Sequence, residues 1–559
     1  MAKITGGRFI AEFLNAQGVT AFFFVPTMLS RALAEMDNMP IKRVLTHGEK
    51  AAAYMADGYA RASGRPGICA AQAVGAANLA AGLRDAFMGH SPVIALTGGR
   101  WGHQKHKINY QEMDDFPIFT QVTKANFQVD SVGRLPDLLR QAFREATSGT
   151  PAPVNLLFAG KEGDIEHDVA DLQVIAEETF ARVPAFRPAP EPARVAEAAR
   201  ILKKAKRPAI VVGGGARWSG AGPDVLKLSK TLSIPVATSL NAMALVPENN
   251  PLYIGVPGTY SRSCTNKILK RADLILYVGS QTAGQVTHFW KIPAAGTPVI
   301  QIGIDPADLG RNYPNAASLL GDAKTALKAL NEAVAGASGK GKRNAKWVEE
   351  ASAAVKEWRD EVKLLRNSAV EPMRPERIMK ELGDWLPRDT IVACDTGHAG
   401  MWSAQQLWVS KPWDFIRAAG SLGWAFPASL GAKVAMPKKP VVCFTGDGGF
   451  WYHLQELETA VRCGIPTVTV VNNNNSLNQE TTIFRHAYGG KPSKKQGEMW
   501  HFSKVDFSVI AESMGALGIR ITKPGDLRSA LDRAISSGRP AVVEVMSDIE
   551  ALAPNPWEG

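Results

Sequence analysis

The chain has 559 residues, of which 45% are apolar and 21% charged, and this composition is typical of a folded globular protein and excludes extensive disorder. The formal charge of +11 suits anionic ligands, but no basic run is interleaved with aromatic residues, so we predict no nucleic-acid partner. No apolar run reaches the roughly 18 residues of a membrane helix, no leader-like segment is evident, and the five cysteines are widely spaced, which predicts a cytoplasmic protein without a membrane partner.

The first part of the chain alternates helical patterns with short apolar strands. An Ala-rich helix is predicted at Glu49–Ser63, where Gly64 ends it. The predicted strands are Ala21–Val25, Gly67–Gln72, Val93–Leu96 and Val154–Phe158. This βαβ order predicts a parallel sheet covered on both faces, and we assign it to a first domain, residues 1–182.

Two further blocks repeat this style. A proline-rich stretch opens the second domain, residues 183–335, and a linker at residues 336–370 leads to the third domain with a C-terminal tail, residues 371–559. The predicted strands of the two blocks are Ala209–Val212, Pro235–Thr238, Leu274–Val278, Val299–Ile302, Thr390–Ala393, Val441–Phe444, Thr467–Val471 and Ala541–Val545. The predicted fold class is therefore α/β, with three doubly wound domains and mainly parallel sheets.

The strongest chemical signal lies where two strands of the third block end. One strand runs into Gly446-Asp447-Gly448-Gly449, and the next runs into Asn472-Asn473-Asn474-Asn475. Open parallel sheets bind ligands at the carboxyl ends of their strands, and glycines there let a phosphate approach the backbone. Asp447 and Asn474 would supply two of the oxygen ligands that Mg²⁺ prefers when it bridges a diphosphate to a protein.

This GDG–NN frame resembles the signature of thiamine-diphosphate enzymes. A second segment, THGEKAAAYMADGYARASGRPG at residues 46–67, resembles the pyrimidine-binding domain of the acetolactate synthase, benzaldehyde lyase and 2-keto-acid decarboxylase-like family. The resemblance covers roughly residues 4–548. It implies that the three domains are pyrimidine-binding, central and diphosphate-binding, and that the cofactors are thiamine diphosphate and Mg²⁺.

The resemblance assigns roles to individual residues. The metal ligands would be Asp447, Asn474 and the backbone carbonyl of Ser476. Glu49 would be the catalytic glutamate that hydrogen-bonds the aminopyrimidine ring and thereby activates the cofactor. Without the resemblance, Glu49 would be interpreted as a helix-dipole residue and GDG as a plain turn.

Two more segments resemble cofactor-binding elements of the family. Residues 395–405 (DTGHAGMWSAQ) resemble a diphosphate-binding turn, although close relatives of acetolactate synthase have Gln-His where this chain has His398-Ala399. Residues 420–427 (GSLGWAFP) resemble the segment whose bulky apolar residue, here Leu422, holds the cofactor in a bent shape. The predicted cofactor contacts are Pro26, Gln72, Gly397, His398, Ala399, Ser421, Leu422, Gly446, Asp447, Gly448, Gly449, Asn474, Ser476 and Leu477.

The regions expected around the substrate depart from acetolactate synthases, which usually carry glycines after the proline near the first strand. This chain has Thr27-Met28-Leu29 there, and its loop at residues 100–112 is unusually cationic. That loop contains Gln111, a second predicted catalytic residue, and would recognise a carboxylate or phosphate; the alternative is a solvated loop. Residues 477–500 are predicted to form a lid. The candidate substrate contacts are Met28, Leu29, His103, His106, Gln479 and Trp500.

The resemblance leaves the reaction open. The leading hypothesis is a carboligase, lyase or decarboxylase acting on a 2-keto acid or 2-hydroxy ketone through a hydroxyalkyl-thiamine intermediate. The alternatives are a 2-hydroxyacyl-CoA lyase or acyl-CoA decarboxylase, and a non-catalytic cofactor-binding regulator. FAD is doubtful, because Gln281 stands where flavin-bearing relatives have an arginine. The partners implied are a small-molecule substrate and a second copy of the chain, as a homodimer or homotetramer with the active site at the subunit interface.

Overall fold

The structure, a computed structural model, describes residues 3–335, 344–491 and 493–557, and it contains three six-stranded parallel sheets. Residues 336–343, where the predicted linker begins, lie outside the described residues. Among the helices in the described ranges, none is long and apolar enough to cross a membrane. The predicted fold class of three doubly wound α/β domains is confirmed.

The first sheet has the strand order β3-β2-β4-β5-β7-β6, and a small antiparallel pair, β1 and β8, lies beside it. The strands of the sheet are β2 (Ala21–Phe24), β3 (Lys42–Leu45), β4 (Gly67–Ala71), β5 (Val93–Gly98), β6 (Ala125–Val129) and β7 (Val154–Phe158), and those of the pair are β1 (Lys3–Thr5) and β8 (Val169–Asp171). Its helices are α1 (Gly6–Ala16), α2 (Ser30–Glu35), α3 (Glu49–Ser63), α4 (Ala76–Met88), α5 (Phe116–Phe119) and α6 (Leu135–Thr147).

The second sheet has the order β11-β10-β9-β12-β13-β14. Its strands are β9 (Pro208–Val212), β10 (Val236–Thr238), β11 (Tyr253–Gly255), β12 (Leu274–Val278), β13 (Val299–Gly303) and β14 (Asn315–Leu320). Its helices are α7 (Pro192–Lys204), α8 (Gly214–Ser219), α9 (Gly222–Leu232), α10 (Ser263–Arg271), α11 (Gly284–Thr287) and α12 (Ala323–Ala335). A longer helix, α13 (Ala345–Arg366), then leads to the third domain.

The third sheet has the order β16-β15-β17-β18-β20-β19. Its strands are β15 (Thr390–Cys394), β16 (Trp413–Arg417), β17 (Val441–Gly446), β18 (Val468–Asn473), β19 (Leu517–Ile521) and β20 (Ala541–Met546). Its helices are α14 (Pro375–Trp385), α15 (His398–Gln406), α16 (Ala425–Ala435), α17 (Asp447–Trp451), α18 (Glu456–Arg462), α19 (Thr481–Ala487), α20 (Phe507–Ser513) and α21 (Leu527–Ser536). The domain boundaries given above stay predictions.

One predicted helix is shorter than its sequence pattern suggests. The pattern at Met28–Met36 predicts a helix from Met28, but α2 begins at Ser30 because Leu29 adopts a left-handed conformation with φ of 53°. Both Met28 and Leu29 turn into the core of the first domain. Burial of these two side chains has overridden the local helical pattern, as tertiary context often does.

The first and third domains pack closely along α3 and α16. A Cβ atom on Gly58 would collide with the carbonyl group of Ala428, and one on Gly431 would collide with that of Met55. These two glycines therefore allow the helix backbones to touch. Because α3 begins at Glu49 and α16 follows the Leu422 turn, this contact fixes both regions relative to each other.

A buried arginine joins the same two domains. The Arg61 guanidinium lies 2.7 Å from Asp57 and 3.1 Å from Asp85, and its Nη1 donates to the carbonyl of Arg417. Asp57 also accepts a hydrogen bond from the indole of Trp424, over whose ring the guanidinium stacks. All three charged side chains of this group are buried, so each depends on the others for charge compensation.

Replacing Arg61 by leucine should therefore destabilise the chain by about 3–5 kcal/mol, because it leaves two buried carboxylates without their cation. The urea concentration at the midpoint of unfolding measures the effect. Arg8→Leu is a matched control, since Arg8 pairs with Glu12 on an exposed helix face and its loss should leave the midpoint unchanged. An unchanged midpoint for Arg61→Leu would mean that the backbone and indole donors satisfy the carboxylates alone.

Candidate active site

Asp447 lies at the carboxyl edge of the third sheet, between two neighbouring strands. Strand β17 ends at Gly446, which pairs with Asn472 of β18, so Asp447 and Asn474 leave adjacent strand ends as predicted. Asp447 is 2% exposed, and its Oδ2 atom has no hydrogen-bond partner among the described residues. Burial raises the pKa of this carboxyl to about 7. A buried carboxylate oxygen without a donor is suited to hold a cation.

Asn474 and Ser476 lie beside this carboxylate on the loop after β18. Oδ1 of Asn474 accepts hydrogen bonds from the backbone N–H of Ser476 at 3.1 Å and from its hydroxyl at 2.9 Å. Within the described ranges no three His, Cys, Asp or Glu side chains converge on a metal position. A metal here would thus be held by one carboxylate and neutral oxygens, a donor set that suits Mg²⁺ bound together with a phosphate.

Replacing Asp447 by asparagine should stabilise the metal-free chain at about pH 8. The folded carboxyl has a pKa of about 7 against an ordinary 3.8, so its ionisation costs stability as the pH rises between these values. An asparagine does not ionise, so the stability difference between the variant and the unaltered chain should grow as the pH rises between these two pKa values. It should level off at about 4 kcal/mol. Urea unfolding at several pH values with a chelator present measures it, and a pH-independent difference would contradict the effect.

The glycines of the GDG turn leave little room for side chains. A Cβ atom on Gly448 would collide with the side chain of Leu477, and one on Gly449 would collide with the hydroxyl of Thr445. A Cβ atom on Gly446, in contrast, would collide with nothing and would only lie 4.0 Å from the carbonyl oxygen of Asn472. The turn is therefore packed against the loop after β18 on one side and leaves its backbone accessible at Gly446.

The predicted diphosphate turn at the start of α15 comes to the same edge. Gly397 has φ of 62°, and a Cβ atom there would collide with Oε1 of Gln479. The Nδ1 atom of His398 donates to Oδ1 of Asn478 at 2.9 Å, and burial lowers the pKa of this imidazole. Ala399 is buried in the first turn of α15. The structure thus brings Gly397, His398 and Gln479 together with the segment that carries Ser476 and Leu477.

The two ends of the segment at residues 477–500 meet each other at the loop that follows β18. Ser476 pairs with His501, and the backbone N–H of Leu477 donates to the carbonyl of Trp500 at 2.8 Å. Trp500 is 5% exposed and stacks on Phe484 with the ring centroids 5.4 Å apart. Residue 492 lies outside the described residues. The predicted lid thus closes back on the strand end that carries Asn474, and its motion stays a prediction.

Ser421 and Leu422 occupy a half-buried turn before α16. Sequence reasoning missed the two carboxylates that hold this turn. Asp395 accepts hydrogen bonds from the backbone N–H groups of Gly423 and Ala425, and Asp85 of the first domain accepts from the backbone on the other side of Leu422. Spacing gives no signal for such contacts, because the acceptors recognise main-chain groups.

Glu49 lies at the carboxyl edge of the first sheet, at the start of α3, where it is half-buried. Its Oε2 atom accepts a hydrogen bond from Asn78 at 3.2 Å, and a Cβ atom on Gly75 would collide with Oε1. The predicted contacts Gln72 and Pro26 follow the neighbouring strands β4 and β2, half-buried and exposed respectively. In the part of the chain that the structure describes, no hydrogen bond or ion pair joins Glu49 to the Asp447 group.

The candidate substrate residues fall into different environments. Met28 and Leu29 are fully buried in the first domain, whereas His103 and His106 are exposed on the cationic loop. Gln111 is half-buried, and its Oε1 atom is shielded from solvent without a hydrogen-bond partner in the described ranges. The structure therefore does not gather these residues into one pocket within a single chain, and their substrate roles stay predictions.

A separate cavity of about 340 Å³ lies at the carboxyl edge of the central sheet, away from Asp447. It is lined by turns after β9, β12 and β13 and by residues of the first and third domains, among them His90 and Ala419. Gln281 at its wall donates to Asp308 at 2.9 Å and accepts from the His90 imidazole at 2.9 Å. The side-chain amide of Gln281, which stands where flavin-bearing relatives have an arginine, thus has hydrogen-bond partners at both its nitrogen and its oxygen.

Comparison with known proteins supplies the remaining observation. The sequence matches three domain models in order: the N-terminal TPP binding domain of thiamine pyrophosphate enzymes at residues 4–118, their central domain at residues 195–330, and their C-terminal TPP binding domain at residues 395–545. It is 32% identical to a probable acetolactate synthase large subunit of Methanocaldococcus jannaschii, over 98% of this chain and 93% of the relative. It is 29% identical to the acetolactate synthase isozyme 2 large subunit of Escherichia coli, over 98% and 96% respectively.

Proposed function

We propose that this chain is a carboligase acting on a 2-keto acid. The chain belongs to the thiamine pyrophosphate enzyme family, and it is an acetolactate synthase-like enzyme that depends on thiamine diphosphate. It would remove carbon dioxide from this substrate and join the remaining acyl unit to a second carbonyl compound. The observation that carries the proposal is the buried Asp447 oxygen without a donor, at the strand edge where Asn474 and Ser476 also lie.

The residues at this edge fit a metal-bound diphosphate. Asp447, Asn474 and the carbonyl of Ser476 would hold Mg²⁺, while Gly397, His398 and Gly446 would face the diphosphate oxygens. Since Asp447 is the one carboxylate of this set, its charge would be compensated by the cation and would no longer oppose burial. Bound thiamine diphosphate would supply a carbon nucleophile for a carbonyl group and a sink for the electrons of the carbon–carbon bond that breaks.

Glu49 would hold and exchange a proton at its carboxylate. This side chain is half-buried at the start of α3. Its hydrogen bond from Asn78 and its contact with Gly75 keep the side chain at the carboxyl edge of the first sheet. A carboxylate that must pass protons works best when it is oriented by fixed neighbours and shielded from water. Both conditions would be met once a second surface covers this half-buried residue.

A second copy of the chain is the proposed source of that surface. Glu49 and Asp447 belong to different domains, and no hydrogen bond or ion pair joins them within the described residues. The cationic loop itself carries exposed apolar side chains, with Ile108 96% exposed and Tyr110 73% exposed. Large exposed apolar groups of this kind are typical of subunit interfaces. A homodimer, or a homotetramer built from two dimers, would complete each site with Glu49 of one subunit and Asp447 of the other.

The proposed substrate is anionic, which suits the exposed basic side chains of the loop at residues 100–112, namely His103, Lys105, His106 and Lys107. The same loop favours acyl-CoA chemistry as the second candidate, because it could bind a phosphate. We do not propose FAD, since Gln281 is bound to Asp308 and His90.

A substrate panel tests the function. The full-length protein is incubated with thiamine diphosphate, Mg²⁺ and either pyruvate, longer 2-keto acids, acyloins or acyl-CoA esters, and the products are identified by mass. The proposal predicts carbon dioxide release together with a new carbon–carbon bond from a 2-keto acid. Carbon dioxide with an aldehyde product would instead indicate a simple decarboxylase, and turnover of acyl-CoA esters alone would indicate the second candidate. Cofactor binding without any turnover would indicate a regulator.

A further inference from the structure

The carboxylate of Asp85 crosses from the first domain to hold a turn of the third. Asp85 lies on α4 and is fully buried. Its Oδ1 atom accepts from the backbone N–H of Ala419 at 2.9 Å, and its Oδ2 atom accepts from those of Gly420 at 3.2 Å and Ser421 at 2.9 Å. Three consecutive main-chain donors thus converge on one side chain that lies more than three hundred residues away in sequence.

Asp395 holds the same turn from the opposite side of Leu422. This carboxylate is 1% exposed and accepts from the backbone N–H of Gly423 at 3.1 Å and of Ala425 at 3.4 Å. Its Oδ2 atom also accepts from the Thr445 hydroxyl, one residue before the GDG turn. The backbone from residue 419 to residue 425 is therefore fixed between two buried carboxylates, and Leu422 is at the centre of the fixed stretch.

A carboxylate, which has two accepting oxygens, suits the position of Asp85. Both of its oxygens face N–H donors, and Arg61 adds a further donor to Oδ1 at 3.1 Å. An amide of the same size has one accepting oxygen, so its NH₂ group would face main-chain donors and be repelled by them. Hydrogen bonds to a charged group are also about twice as strong as neutral ones. The arrangement of N–H donors around this side chain therefore favours an aspartate over an asparagine at position 85.

We propose that Asp85 is a positioning residue for the cofactor: it fixes the turn that carries Leu422, so that this side chain supports the bent form of thiamine diphosphate. The inference rests on the proposed function, because it assigns to Leu422 a contact with that cofactor. Asp85 itself touches no reacting atom. Its effect should appear in binding of the whole cofactor and be absent from binding of a diphosphate alone, since the diphosphate is held by the distinct Asp447 and Gly397 turns.

Calorimetric titration of the full-length, cofactor-free protein separates the two effects. Asp85→Asn should weaken binding of Mg²⁺–thiamine diphosphate by about 10- to 100-fold, which corresponds to losing one hydrogen bond to a charged group. Binding of Mg²⁺–pyrophosphate should change by less than about threefold. Asp414→Asn is the control: it removes the 2.7 Å ion pair with Arg217 at the other end of β16 and should leave both affinities unchanged.

Leu422→Ala provides the decisive comparison. If Asp85 acts through Leu422, this variant should show the same selective loss, and the double variant should bind thiamine diphosphate no more weakly than Leu422→Ala alone. Additive losses would overturn the proposal, as would an equal loss of both ligands or wild-type affinity in Asp85→Asn. If Asp85→Asn does not fold, Ala419→Pro removes one of the three donors while leaving Arg61 and Asp85 paired, and it should give a smaller but equally selective loss.

The same titrations separate this inference from the proposed function. If the unaltered protein binds pyrophosphate with Mg²⁺ but not thiamine diphosphate, the proposed function fails. If it binds both and Asp85→Asn is not selective, the positioning role fails and the proposed function stands.

Discussion

Replacing Asp447 by alanine is expected to abolish activity at any ordinary concentration of Mg²⁺ and thiamine diphosphate. Asp447 is the one carboxylate in the proposed ligand set, and its Oδ2 atom is buried without a donor. Removing one partner of a buried charge pair typically costs about 3–5 kcal/mol, which corresponds to a loss of cofactor affinity of about 2 × 10²- to 5 × 10³-fold. The remaining oxygens of Asn474 and Ser476 are neutral and cannot replace the charge.

The loss should be visible without any enzymatic assay. A ligand that binds only the folded state raises the melting temperature, so the unaltered chain should melt higher when Mg²⁺ and thiamine diphosphate are both present. Asp447→Ala should lose this shift. Asp384→Ala, on the exposed face of α14 in the same domain, should keep it. A normal shift in Asp447→Ala would refute the assignment of this residue as a metal ligand.

Replacing Glu49 by glutamine is expected to lower kcat by about 10²- to 10⁴-fold, the range usual for loss of a general acid or base. The amide keeps the size of the side chain and can still contact Asn78, but it cannot exchange a proton. Cofactor affinity should remain within about threefold of the unaltered enzyme, because the amide can still hydrogen-bond the aminopyrimidine ring and the diphosphate-binding residues are unchanged. Steady-state kinetics at saturating cofactor measure kcat, and Glu12→Gln, on an exposed face of α1, is the control.

Co-expression of Glu49→Gln and Asp447→Ala chains tests where the second half of the site comes from. If the two residues of one site belong to different subunits, a mixed dimer contains one site with both defects and one site with neither. Random pairing makes half of the dimers mixed, so about a quarter of all sites should be active. If both residues served the same subunit, every site would carry a defect and no activity would return. Recovery of activity would support the shared site, and its absence would rule it out.

The fold is predicted best where strands are buried on both faces. The strands predicted from sequence are the four central strands of each sheet, and the edge strands are the ones missing from the prediction. Central parallel strands are continuous apolar runs, such as Leu274–Val278. Edge strands such as Lys42–Leu45 and Asn315–Leu320 are partly exposed and carry polar residues, so no apolar run marks them. The short strands β1 and β8 were missed for the same reason.

The candidate site divides in a similar way. The placement of Asp447, Asn474 and Glu49 at the carboxyl edges of their sheets could be predicted because glycine-rich turns and strand ends give them a recognisable local frame. Asp85 and Asp395 could not, because their partners are main-chain N–H groups whose position depends on how domains pack. The placement of Met28 and Leu29 in the core was also inaccessible to sequence reasoning, since it follows from a left-handed residue that no local pattern demands.

The buried guanidinium of Arg61 limits which parts of this chain can be exchanged with those of a relative. It contacts Asp57 and Asp85 of the first domain and the carbonyl of Arg417 in the third, and its own carbonyl accepts from Arg217 of the central domain. All three domains therefore meet at one residue. A chimera that exchanged the first domain alone for that of a relative would have to reproduce these acceptors, together with the three donors for Asp85. The part of the chain that would have to be exchanged together is thus larger than the first domain, because it also includes residues 417–425 of the third domain.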